Sequence, residues 1–190
     1  DEIAEALELP DNRKYLLTKN YRNTLQIAKL AAQFYTGLQT GVPDLPEAEG
    51  NLPELIECEK QNSAIDYIKR YAANHDNEEI GVITFSDSIR TKYFNKLEKR
   101  LDNNKNISVQ TYTSKKSKDV KNMQFDTPGV ITVLNKESCK GLEFDAVFIP
   151  ELQGISVNPS DIENLKKALY VVCSRARTFL AIMYTNEGDT

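Results

Sequence analysis

The sequence predicts an α/β domain, a mostly parallel sheet with helices on both faces. Short β-branched or apolar runs alternate with segments of helical periodicity, the rhythm of βαβ units. Several runs are mostly apolar and β-branched, as strands buried on both faces require. The length, 190 residues, suits one such domain, with 40% hydrophobic and 27% charged residues as in ordinary soluble proteins.

Taken in order, Tyr15-Leu16-Leu17-Thr18-Lys19 reads as a strand. Asn23 then offers a helix cap, with Gln26 placed as in a capping box, and Ile27, Leu30, Ala31 and Phe34 fall on one helical face. Residues 37–53 hold three Gly and three Pro and read as a loop. Leu55–Cys58 is a short strand, and Ser63 starts a capped helix with Ile65, Ile68 and Ala72 along one side. Ile80–Phe85 is a buried strand, followed by a helix over Ser86–Leu101 whose apolar line is Ile89, Tyr93, Leu97 and Leu101. Ile107–Tyr112, Val130–Leu134, Ala146–Ile149 and Phe179–Tyr184 are strands, and Asp161–Arg177 is a helix. The single domain spans 1–190 with its core at about 15–184.

Composition excludes several classes. No apolar run approaches the ~20 residues that span a bilayer. The acidic opening lacks the basic start of a secretory leader, and with no initiator Met the chain reads as a piece cut from a longer protein. A net charge of −4 implies that the chain alone holds nucleic acid weakly. Three cysteines (Cys58, Cys139, Cys173) and one histidine, His75, match no zinc spacing and no nucleophile pattern, so a reducing, cytoplasmic setting is expected and no metal site. His75 reads as a solvated residue at a polar helix end. No phosphate-cradling Gly-x-x-x-x-Gly-Lys-Ser/Thr loop and no dinucleotide turn is present.

Three segments place ionisable or aromatic residues at strand–helix junctions, where ligands of open parallel sheets gather beyond the carboxyl ends of strands. They are Thr18-Lys19-Asn20-Tyr21-Arg22-Asn23, the stretch Leu134–Asp145 containing Lys140-Gly141-Leu142-Glu143, and Leu169–Arg177 containing Cys173-Ser174-Arg175-Ala176. In this order they resemble motifs IV, V and VI of the C-terminal half of UvrD/Rep-type superfamily 1 helicases. The resemblance implies the second RecA-like motor domain, a P-loop NTPase fold without its own phosphate loop.

That resemblance implies roles. Tyr21 would stack on adenine, Glu143 would accept a hydrogen bond from the ribose, and Gly141 would let the backbone approach closely. Arg22 and Arg175 would reach the ATP γ-phosphate, a task suited to the permanently charged, bidentate guanidinium. Asn135 and Glu137 stand where the family has Thr and His contacting single-stranded DNA; Asn can still bond a phosphate, whereas a carboxylate repels one. Lys140 is either a phosphate contact or a solvated charge. ATP with Mg²⁺ would bind mainly on a preceding RecA-like domain, so the isolated chain is expected to be inactive. Thr113–Pro128, with Lys115, Lys116, Lys118 and Lys121, is too short for the family's accessory helical insert. The competing class is a non-catalytic RecA-like interaction or regulatory module. DNA and RNA are not distinguished.

Overall fold

The protein is described from a computed structural model covering residues 10, 20–37, 44–113, 123–155 and 157–185. The strands are β1 (Glu54–Cys58), β2 (Ile80–Thr84), β3 (Ser108–Tyr112), β4 (Val130–Asn135), β5 (Phe144–Ile149) and β6 (Ala176–Thr185). They form one sheet in the order β1-β6-β5-β2-β4-β3, with every pairing parallel. All amino ends therefore share one edge of the sheet and all carboxyl ends the other. The central strands β2 and β4 are buried along their whole length, whereas edge strands β1 and β3 are mostly not.

Helices α1 (Leu25–Ala32), α2 (Gln61–Asn74), α3 (Asp87–Leu101) and α4 (Ile162–Cys173) cover both faces. Strand alternation sends side chains to opposite sides. Val82, Ile131, Val133, Ala146 and Phe148 meet Ile65, Ile68, Tyr93 and Leu97 of α2 and α3. Ile83, Leu134, Val147 and Ile149 meet Ile27, Ala31 and Val172 of α1 and α4. No described helix is long and apolar enough to cross a membrane.

The expected elements are present, apart from the strand at Tyr15–Lys19 and the lysines 115–121, which lie outside the described residues. Several boundaries differ. Asn23 does not cap α1; Thr24 holds that position, and the Gln26 amide oxygen accepts from the Gly50 N–H instead of closing a capping box. Helix α2 begins at Gln61 rather than Ser63. Helix α4 ends at Cys173, where Ser174 Oγ and Arg175 Nε both donate to the Val171 carbonyl, so Arg177 lies in β6 and not in a helix. His75 is half-buried rather than solvated, stacked on Tyr71 at a centroid distance of 4.0 Å.

One glycine is required by close approach. A Cβ on Gly81 in β2 would lie 2.5 Å from the buried ring of Phe144. Gly81→Ala is expected to destabilise the fold by about 1–3 kcal/mol through overpacking, measured by denaturant unfolding. An unchanged midpoint would show that the ring relaxes freely.

Candidate functional site

The segment Asn20-Tyr21-Arg22-Asn23 is shaped by its two asparagines. Asn20 Oδ1 accepts from the Arg22 N–H at 2.9 Å, and Asn20 Nδ2 donates to Asn23 Oδ1 at 2.9 Å. Asn23, 4% exposed, donates its amide to the carbonyls of both Ser174 and Ala176. The Thr24 N–H then donates to the Arg177 carbonyl at 3.0 Å. These bonds lash the loop to the turn between α4 and β6, and the residues between the two asparagines project outward. Tyr21 is 82% exposed.

Arg22 lands on Glu143: its Nε and Glu143 Oε1 form an ion pair. Arg175 is half-buried and held rigidly, with Nε on the Val171 carbonyl, Nη1 on the Leu142 carbonyl at 3.2 Å and Nη2 on Ser174 Oγ at 3.1 Å. Burial, and then the nearby Arg22 charge, push its pKa below the ordinary arginine value. Two guanidiniums thus face the same small region, an arrangement that an incoming anion relieves.

The structure brings Tyr21, Arg22, Gly141, Glu143 and Arg175 together at the amino edge of the sheet, and not beyond the carboxyl ends of strands. The physical reason is direct: Glu143 and Arg175 immediately precede β5 and β6, and Asn23 ties the remaining loop to β6. Gly141 also differs from expectation. With φ at +83° its backbone favours glycine, but open space surrounds it, so the turn and not a close approach requires it.

Beside this cluster lies a cleft of about 290 Å³ lined by Glu79, Phe125, Asp126, Gly141, Leu142, Glu143 and Arg177. Glu79, Asp126 and Arg177 were not legible as site residues. The one available signal was Arg177 standing two residues after Arg175, at the end of the third candidate segment. Glu79 is only 2% exposed; its Oε2 accepts from the Asp126 N–H at 3.0 Å, and among the described residues its Oε1 has no hydrogen-bond partner. Burial, then the Asp126 carboxylate, raises its pKa to about 7.

Asn135 and Glu137 lie at the opposite, carboxyl edge. The Asn135 amide is committed, donating to Asp87 Oδ1 at 2.7 Å, while its oxygen accepts from the Ser138 N–H at 3.0 Å. Glu137 pairs with Lys136 at 2.6 Å; partial burial works against its charge, but that ammonium holds its carboxyl below the usual range. Lys140 lines a groove of about 210 Å³ with Lys136, Glu137, Lys167, Ala168 and Val171, a basic lining that sequence reasoning recognised only at Lys140. Cys139, fully buried beside it, has its thiol pushed up to about 11 by burial. Among the described residues no group of three or more His, Cys, Asp or Glu is placed to hold a metal ion.

A six-stranded parallel sheet with helices on both faces and polar clusters at its two edges defines a RecA-like α/β domain. It is similar to the crystal structure of the C-terminal domain of a possible DNA helicase from Lactobacillus plantarum WCFS1, with a TM-score of 0.63 and 22% identity over 87% of this chain and 88% of that one. At that identity the likeness establishes the fold. A looser likeness is to the complex of Arterivirus nonstructural protein 10, a helicase, with DNA. There the TM-score is 0.47 and the identity 11%, over 87% of this chain and 32% of that one, and no argument rests on it. No protein-family model and no curated protein matches the sequence.

The carboxyl of Glu79 gives this edge a pH signature. Its folded pKa of about 7 lies above the ordinary 4.5, so its contribution to stability is full below the unfolded value and is lost as pH rises through about 7. Glu79→Gln stays neutral and is expected to melt above the parent chain by a margin that widens as pH is raised across that window. A constant margin in calorimetry would contradict the assignment.

Proposed function

We propose that this chain is the C-terminal motor half of an ATP-dependent, UvrD/Rep-type superfamily 1 DNA helicase or translocase, spanning 1–190 as one domain without the accessory insert. The observation that carries the reading is the pairing of Arg22 and Arg175, both held at one sheet edge beside Glu143. The RecA-like fold and the ordered motif resemblance support it. A preceding RecA-like domain would hold ATP and Mg²⁺, and this half would close over them.

The residues fit a nucleotide. Arg175 is oriented by two backbone carbonyls and stays charged, so it can stabilise the charge developing on a transferred phosphoryl group without reorganising. Arg22, 40% exposed, can leave its carboxylate partner for phosphate oxygens. The exposed ring of Tyr21 can stack on the base, and Glu143 can accept from a sugar hydroxyl. At the other edge, Lys140 can hold a phosphate of a single strand, with Lys136 and Lys167 exchanging their partners Glu137 and Glu163 for neighbouring phosphates. Asn135 serves that track by shaping its loop, since its amide is already engaged with Asp87.

A second reading, a non-catalytic interaction module, is favoured by one observation: both oxygens of Glu143 face arginines of this same chain. The two readings separate in single-strand-stimulated ATP hydrolysis by the full-length parent. Arg175→Ala is expected to lower turnover by roughly 100-fold or more with folding intact. Unchanged turnover would overturn the finger assignment, and no turnover in either protein would favour the module. The isolated 190 residues are expected to hydrolyse no ATP; clean hydrolysis by them would contradict a half-motor.

A further inference from the structure

We propose that Arg177 is the positioning residue that holds Glu143 ready for the nucleotide sugar while Arg22 is free to exchange between Glu143 and phosphate. The proposal rests on the nucleotide reading of this edge and adds a residue outside the motif positions that carried it.

The sheet fixes Arg177. It is the second residue of β6, its neighbour Ala176 is in register with Phe144, and its carbonyl accepts from the Thr24 N–H. Its guanidinium spreads over three carboxylates: Nε lies 3.6 Å from Glu143 Oε2, Nη1 is 3.5 Å from Asp145 Oδ1, and Nη2 is 3.2 Å from Asp126 Oδ1. Asp145 is itself anchored, accepting from the Glu79 N–H at 2.9 Å. A planar fork presents donors from three separate nitrogens in fixed directions, so it can face three spread acceptors at once, whereas a lysine concentrates its donors on one atom.

Glu143 is therefore shared between two arginines of different kinds. Oε1 faces Arg22, on an exposed loop, and Oε2 faces Arg177, on the sheet. When Arg22 turns to a phosphate, Oε1 is released while Oε2 stays tethered, so Oε1 becomes an acceptor for a sugar hydroxyl in a fixed place. Sugar and phosphate recognition become linked through one carboxylate. Without Arg177, the carboxylate keeps Arg22 as its ion-pair partner among the described residues and loses its tether when Arg22 departs.

The test is steady-state ATP hydrolysis by the full-length parent, comparing ATP with its 2′-deoxy and 3′-deoxy analogues. The parent is expected to prefer ATP over the analogue lacking the contacted hydroxyl, and Glu143→Ala to abolish that preference. Arg177→Met is expected to raise KM for ATP about tenfold, to shrink the ribose preference towards unity and to act on KM rather than kcat; Arg177→Lys restores part of the effect. A folded Arg177→Met protein that keeps the parent's ribose preference overturns the proposal. If Glu143→Ala leaves the preference unchanged, the sugar contact itself fails, and this proposal falls with it while the Arg175 result stands separately. If Arg177→Met does not melt cooperatively, Arg177→Gln, neutral but still a hydrogen-bond donor, decides between the same outcomes.

Discussion

The side-chain amide of Asn23 is the bond on which the amino edge depends. Its two hydrogens bridge the carbonyls of Ser174 and Ala176, and its oxygen receives Asn20. Both acceptors flank Arg175, so one buried amide holds the loop bearing Tyr21 and Arg22 against the turn bearing the second arginine. These carbonyls lie where α4 has ended and β6 has begun, at a place with no helix partner to satisfy them. Leaving them bare in a buried site is costly, which makes the joint between the segments strict.

Electrostatics at this edge is balanced rather than saturated. Arg22, Arg175 and Arg177 face Glu79, Asp126, Glu143 and Asp145 within a few side chains of one another. Among the described residues Arg175 takes no carboxylate as a hydrogen-bonding partner and is held by neutral oxygens instead. A charge fixed by dipoles keeps its direction without being neutralised, the condition an electrostatic clamp needs. Arg22 has the opposite character, neutralised but exposed.

The sheet was legible because its central strands are runs of mostly apolar and β-branched residues with no solvent-facing alternation: Ile80–Thr84 and Val130–Asn135 cannot be mistaken for amphipathic surface segments. Helix ends were less so. Asn23 has the residue type of a cap, and only the tertiary bond to Ser174 and Ala176 shows that its amide is used elsewhere. Arg22, Glu143 and Arg175 were legible as an ordered pattern, but the edge they occupy was not. The rule that ligands gather at carboxyl ends pointed away from residues that stand just before their strands. Arg177, Asp126 and Glu79 were beyond reach singly, because their meaning comes from a convergence of β6, the approach to β4 and the start of β2.

The eight residues between β4 and β5 run from the carboxyl edge of the sheet to its amino edge, with Ser138 and Cys139 packed into the interior on the way. A connection this short, anchored in the interior at two residues, has no slack. Adding or removing a residue there would displace Lys140 from its groove or Glu143 from its arginines. Length variation among relatives of this chain should therefore accumulate in the polar segments before β1 and between β3 and β4, while the short passage between the two edges of the sheet stays constant in length even where its residues change.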